Sequence, residues 1–132
     1  MTEKERNDYF YVCALIEYIA RETKNHRGDI VNQIGEDGIK KLLYDAEVDH
    51  CLSFEQVSDE VVDYYKIKQG NFDTISACKY SIPSFLDIGK LYSIMIEDCA
   101  KPGDEISNFN TDLYYQNPNY LEWSYREGKL LD

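Results

Sequence analysis

The sequence lacks the features that mark membrane and secreted proteins. It contains no run of about 18 apolar residues, the length that a helix needs to cross a bilayer. Its start, MTEKERND, is charged and has no apolar stretch behind a basic region, so we predict no secretory signal. We therefore expect a soluble, cytoplasmic protein that does not bind membranes.

Cysteine and histidine are scarce and poorly spaced for a metal site. The four cysteines, Cys13, Cys51, Cys78 and Cys99, never form a C-x-x-C pair, which argues against zinc. A free cysteine in a reducing compartment usually behaves as a small buried apolar residue, so we expect all four to be buried. The patterns G-x-x-x-x-G-K, G-x-G-x-x-G and H-E-x-x-H are also missing. The sequence thus predicts no metal and no cofactor.

Basic residues are few relative to acidic ones. The chain has 14 Lys and Arg against 25 Asp and Glu, which gives a net charge of −11. The excess is concentrated in residues 28–70, with ten acidic and four basic side chains, and in residues 104–132, with six and two. Such a surface repels phosphate backbones and attracts basic proteins. We expect no direct nucleic-acid binding and a basic protein partner.

Residues 53–70, SFEQVSDEVVDYYKIKQG, give the strongest helix prediction. Ser53 can accept a hydrogen bond from a backbone N–H three residues on, and Gln56 can reach back to it, as in a capping box. Acidic residues lie in the early turns, while Lys66 and Lys68 are predicted in the last, which suits the helix dipole. Gly70 is predicted to end the helix.

Other apolar periodicities predict further helices around this one. The first runs over residues 5–24. Two short ones lie on either side of Gly35 and Gly38, and the earlier of them is capped at Asp29. Another spans residues 85–99 after a Ser84 cap. Two more are predicted near 106–114 and 119–127, and an extended segment near 74–81. The expected fold is a compact all-α single domain, residues 1–132, of five to six short helices. Residues 1–70 form its helical part, and residues 71–132 add a helix and an aromatic and acidic segment.

Three stretches carry a resemblance to a known family. They are the first helix YFYVCALIEYIA, the segment YDAEVDH, and the acid-flanked valines of EQVSDEVVDYY. Over about residues 8–68, this pattern resembles a small uncharacterised bacterial family of helical proteins that are often encoded beside ADP-ribosyltransferase-like toxins. The resemblance implies a neutralising or regulatory partner of a toxin, and it implies no catalytic residue.

Two groups of residues could carry chemistry. Asp49, His50 and Cys51, with His26, include a nucleophile, a base and a carboxylate, but adjacent residues of a helix or strand do not face each other. The alternative is a connector histidine beside a cysteine packed under the helix at Ser53. The spacing of Arg21 and His26 resembles the R-x4-6-H signature of HEPN-type ribonucleases. Its alternative is a solvated helix end.

The C-terminal stretch is rich in aromatic and acidic residues. Tyrosine and tryptophan offer large amphipathic contact area and are common at interface hot spots. We therefore predict partner-binding residues there, against the alternative that these rings close the protein's own core. The predicted residues are Asp112, Tyr114, Tyr115, Tyr120, Glu122, Trp123 and Tyr125.

Together these patterns favour a protein-binding module, an antitoxin-like or regulatory subunit that binds and neutralises a more basic partner. Two alternatives remain open at this point. One is a HEPN-like ribonuclease that uses Arg21 and His26. The other is an acidic DNA mimic whose carboxylates imitate phosphates.

Overall fold

The computed structural model describes residues 2–73 and 83–99. This part of the chain forms four α-helices and no strand, so the all-α prediction is confirmed for it. The helices are α1 (Glu3–Thr23), α2 (Arg27–Asp49), α3 (Phe54–Tyr65) and α4 (Phe85–Cys99). Among these residues, no helix has the length and apolarity that crossing a membrane would require. The extended segment predicted near 74–81 and the two last predicted helices lie outside the described residues.

Helix α1 is the centre of the fold and contacts the three other helices. It begins with a complete capping box, in which Thr2 Oγ1 accepts from the Glu5 N–H at 3.1 Å and Glu5 Oε1 accepts from the Thr2 N–H at 3.0 Å. It ends at Thr23, and the next residue, Lys24, adopts a left-handed conformation with φ 59°. The predicted apolar stripe of α1 is buried, as expected for a central helix: Tyr9, Val12, Cys13, Ile16, Ile19 and Ala20.

Helix α2 is bent at Gly35, where φ is 80° and ψ is 168°. A side chain rarely tolerates that backbone conformation, so the predicted break into two helical segments is confirmed there. Gly38 is instead helical, and a Cβ on it would lie 2.5 Å from Ile34 Cγ2 and 3.0 Å from the Tyr65 ring. It therefore permits close contact with α3. The predicted cap at Asp29 is wrong, because α2 already begins after His26.

Helix α3 begins as predicted, since Ser53 Oγ accepts from the Gln56 N–H at 3.1 Å. It ends five residues earlier than predicted, at Tyr65, because Lys66 takes the left-handed conformation that terminates it. The predicted lysines of the last turn therefore lie beyond the helix. Gly70 has another role: its N–H donates to the Thr23 carbonyl at 2.8 Å, and a Cβ there would collide with the Lys24 carbonyl oxygen.

Helix α4 runs antiparallel to α1. Its start is capped as predicted, because Ser84 Oγ accepts from the Asp87 N–H at 3.1 Å. The direction follows from two pairs of contacts. Phe85 at the start of α4 meets Tyr18 late in α1, whereas Glu97 near its end meets Arg6 near the start of α1.

The prediction that the cysteines are buried is confirmed for one of them and wrong for another. Cys13 is fully buried in the core, as expected, whereas Cys51 is exposed and the prediction of burial is wrong there. Cys51 lies in the turn that joins α2 to α3, and its side chain is not covered by either helix. Cys78 and the side chain of Cys99 lie outside the described residues.

Candidate functional site

A groove of about 570 Å³ runs along the first half of α1. Its other walls are the end of α2, the start of α3 and the start of α4, and most of its exposed lining is apolar. We call it the first groove. It is lined by Glu3, Lys4, Asn7, Asp8, Phe10, Tyr11, Ala14, Ala46, Glu47, His50, Phe54 and Leu86.

A cluster of aromatic rings holds one end of the first groove. Tyr11 stacks on Phe54 with ring centroids 5.3 Å apart, and Phe54 meets Phe85 edge-on at 4.9 Å. Phe54 and Phe85 are the first residues of α3 and α4, directly after the serine caps. Because the caps fix where these helices begin, they also fix where the two rings lie.

The rim of the first groove is acidic. It includes the carboxylates of Glu3, Asp8 and Glu47 and the ammonium group of Lys4. Lys4 Nζ lies 2.7 Å from Asp8 Oδ2 and 3.7 Å from Glu47 Oε2. One ammonium group is therefore shared between carboxylates, and the rim keeps negative charge.

Further carboxylates near this rim raise the pKa of neighbouring groups. Burial raises the pKa of Asp49 above its usual value, with smaller contributions from the charges of Asp45 and Glu60. Burial also raises the pKa of Tyr11 to about 12, helped by Asp49 and Glu60. Burial is the larger cause in both cases, and only the smaller contribution from the neighbouring carboxylates indicates a negative potential that would favour an added positive charge.

The outer face of α3 extends the negative surface. Glu55, Asp59, Glu60 and Asp63 are all exposed, and α3 contains no lysine or arginine. Three of them follow one another at intervals of four residues, which places them in one row along the helix. A basic molecule approaching the first groove would therefore meet an acidic flank beside it.

A second groove, of about 360 Å³, lies between α1 and α4 on the other side of Phe10. Asn7 and Phe10 line both grooves. In the second groove Arg6 Nε lies 2.8 Å from Glu97 Oε2, and Lys90 adds a second basic side chain. The two grooves thus differ in charge although they share a wall.

Sequence reasoning missed a buried charge cluster in the middle of the fold, formed by Glu17, Arg21, Arg27 and Tyr92. We call it the Glu17 cluster. Glu17 is 1% exposed, and its carboxylate accepts from Arg27 Nε at 2.6 Å and from Arg21 Nε at 3.0 Å. Arg27 Nη1 also donates to the Tyr92 hydroxyl at 3.3 Å, and Arg21 Nη2 donates to the Pro83 carbonyl at 2.8 Å.

The Glu17 cluster has a structural role in this geometry. A buried carboxylate requires positive partners and hydrogen bonds, and Glu17 obtains both from two arginines. The signal in the sequence was a single glutamate inside the apolar run YVCALIEYIA. Arg21 lies four residues on in the same helix, so its pairing with Glu17 could have been read from the sequence. Arg27 and Tyr92 could not, because they belong to α2 and α4.

Arg21 and His26, the ribonuclease candidates, have separate surroundings. The Arg21 guanidinium is engaged by Glu17 and by the Pro83 carbonyl. The His26 ring stacks on Phe72 with centroids 3.6 Å apart. No described hydrogen bond or ion pair joins the two side chains, so this geometry does not favour joint action on a phosphate.

His50 and Cys51 do approach each other, with Cys51 Sγ 3.4 Å from His50 Nδ1. The argument that adjacent residues face apart fails here, because both lie in a turn rather than in a helix or strand. His26 is not part of this group, since it precedes α2 whereas His50 follows it. None of the described hydrogen bonds joins the carboxylate of Asp49 to either side chain.

The predicted partner-binding residues of the C-terminal stretch, from Asp112 to Tyr125, lie outside the described residues. In the part of the chain that is described, no three His, Cys, Asp or Glu side chains come together as a metal site would require. Comparison with protein-family models, with curated proteins and with solved structures finds no significant match to this chain.

The Glu17 cluster gives a stability prediction. Glu17→Gln removes the negative charge between two arginines that remain partly or fully buried, and this should lower the free energy of unfolding by roughly 3 kcal/mol. Urea denaturation followed by circular dichroism measures it. Glu22→Gln, at an exposed position of the same helix, is the control and should change the stability by less than about 0.5 kcal/mol. Equal losses in both variants would contradict the role given to Glu17.

Tyr92 gives a pH prediction. Burial raises the pKa of Tyr92 to about 12, whereas an unfolded tyrosine ionises near 10. As the pH rises, the folded protein therefore keeps the Tyr92 hydroxyl proton up to a higher pH than the unfolded protein does. The stability that this contributes is complete below about pH 10 and is lost as the pH rises towards 12. Urea denaturation between pH 9 and pH 11.5 should show a shallower fall for Tyr92→Phe than for the parent protein.

The control for the pH prediction is Tyr44→Phe, since Tyr44 is 85% exposed. That variant should keep the parent's slope. If Tyr92→Phe falls as steeply with pH as the parent protein does, the buried hydroxyl is not the source of the dependence.

Proposed function

We propose that this chain is a protein-binding module, an antitoxin-like or regulatory subunit that holds a basic segment of a partner protein in the first groove. The observation that supports the proposal most directly is an apolar groove with an acidic rim. Such a site suits a peptide segment that has apolar side chains on one face and lysine or arginine beside them. The antitoxin-like role, the cytoplasmic location and the basic nature of the partner stay predictions from the sequence.

The apolar lining supplies the contact area in this proposal. Phe10 and Leu86 are partly exposed in the first groove, and covering them would remove apolar surface from water. Interface energy is usually concentrated in such anchoring contacts, surrounded by a polar rim. The first groove offers both parts of that arrangement on one face.

The acidic rim and the outer face of α3 supply selectivity and speed of encounter. Negative charge of this density attracts a basic segment over several ångströms and disfavours acidic competitors. Its influence weakens with ionic strength, because the charges are exposed. We therefore expect association to slow as salt is added.

The two alternatives are less well supported by specific observations. The ribonuclease reading needs a free Arg21, whose guanidinium is instead held by Glu17 and Pro83. The DNA-mimic reading needs a continuous row of carboxylates, and the row at Glu55, Asp59 and Asp63 is confined to α3 among the described residues. The partner contacts of Tyr120 and Trp123 stay predictions from the sequence.

Binding of a defined probe tests the proposal. The probe is a dye-labelled helical peptide of leucine and lysine with the leucines on one face, followed by fluorescence anisotropy. Glu47→Lys, which reverses a rim charge, should weaken binding roughly five- to tenfold, corresponding to about 1 kcal/mol for one surface charge pair. Leu86→Ala should weaken it by a similar factor, because it removes apolar contact area.

Matched controls separate the groove from general charge attraction. Glu36→Lys also reverses a glutamate that pairs with a lysine, but it lies outside the first groove. Tyr64→Ala removes an exposed aromatic ring from α3, also outside the groove. Both should bind the probe like the parent protein. Equal weakening by Glu36→Lys and Glu47→Lys, or equal binding of a peptide with glutamate in place of lysine, would refute the proposal.

A further inference from the structure

We propose that the C-terminal segment of this same chain, residues 104–132, docks in the second groove between α1 and α4. The proposal goes beyond the partner-binding role of the first groove. It rests on the chain path, the charge of the second groove and its exposed apolar surface, and none of these depends on what the first groove binds.

The chain path brings this segment to the second groove. Glu97 lines the groove, and α4 ends two residues later at Cys99. Residues 100–132 therefore continue from the end of a groove wall. A tethered segment reaches a neighbouring site at an effective concentration in the millimolar range, so even weak contacts would hold it there.

The charge of the second groove suits this occupant. Arg6 and Lys90 contribute two positive charges against the single carboxylate of Glu97. Residues 104–132 carry six acidic and two basic side chains. The first groove, with its acidic rim, would repel the same segment. Charge thus favours the second groove over the first as the docking site of the segment.

The apolar surface of the second groove suits the aromatic residues of the segment. Ile94 is 47% exposed on α4, and Phe10 is half-buried on α1. Tyrosine and tryptophan can cover such side chains while their polar atoms stay in water. The segment supplies five of these rings: Tyr114, Tyr115, Tyr120, Trp123 and Tyr125.

Docking would have a consequence for the first groove. Asn7 and Phe10 line both grooves, so a segment in the second groove would lie directly beside the first.

Trp123 is the single tryptophan of the chain and reports on the docking directly. The experiment uses the full chain without any partner and measures the tryptophan emission maximum and its quenching by acrylamide. The same protein in urea provides the fully exposed reference. In the folded parent protein we expect a blue-shifted emission and a quenching constant several-fold smaller than in urea.

A groove variant and a matched control locate the docking site. Lys90→Glu with Ile94→Glu should shift the emission to the red and raise the quenching constant towards the urea value, with an unchanged helical circular dichroism spectrum. Lys40→Glu with Tyr44→Glu makes a corresponding pair of changes four residues apart on α2, outside both grooves. This control should keep the parent's protection.

Three outcomes would overturn the docking. The first is a tryptophan in the folded parent as exposed as in urea. The second is protection that survives in the groove variant. The third is protection lost on dilution, which would assign the contact to a second copy of the chain. All three are measured without a partner or probe peptide, so they leave the proposed function of the first groove standing.

Discussion

The fold depends on the pairing of the Glu17 carboxylate with two arginines in a core that is mostly apolar. Arg27 of α2 donates to the Glu17 carboxylate and also to the Tyr92 hydroxyl of α4. Arg21 donates to the Pro83 carbonyl just before α4 begins. A buried ion pair contributes less to stability than its distances suggest, because both ions lose their hydration. Its main effect here is geometric. A shift of α2 against α1 would separate the buried Glu17 carboxylate from Arg27, and a shift of α4 would break the hydrogen bond from Arg27 to Tyr92.

Both grooves depend on that geometry. The first groove requires the end of α2 and the starts of α3 and α4 to converge on the first half of α1, and the second requires α4 to stay close to α1. Gly89 allows this approach, since a Cβ there would lie 2.6 Å from the Ala14 backbone. Phe10 then separates a groove with an acidic rim from one with two basic side chains. The same helix thus lines two grooves of opposite charge.

Local features of this chain could be predicted from its sequence, and long-range ones could not. The serine caps at Ser53 and Ser84 and the break at Gly35 depend on neighbouring residues only, and the structure confirms them. The end of α3 was misplaced because Gly70 is required by a contact with Lys24, far away in the sequence. The Glu17 cluster and the grooves escaped prediction for the same reason. Apart from the Glu17–Arg21 pair within α1, they form only where separate helices pack together, and the apolar periodicity of a single helix does not indicate such contacts.

We propose that a basic segment binds in the first groove, whose walls are held together by the Glu17 cluster. Amide NMR spectra of the full chain during titration with the leucine and lysine peptide test it most directly. We expect the largest shifts at groove residues such as Asn7, Glu47 and Leu86, with small shifts at Glu36 and Tyr64. Shifts centred on the outer face of α3, or spread evenly over every acidic residue, would contradict it.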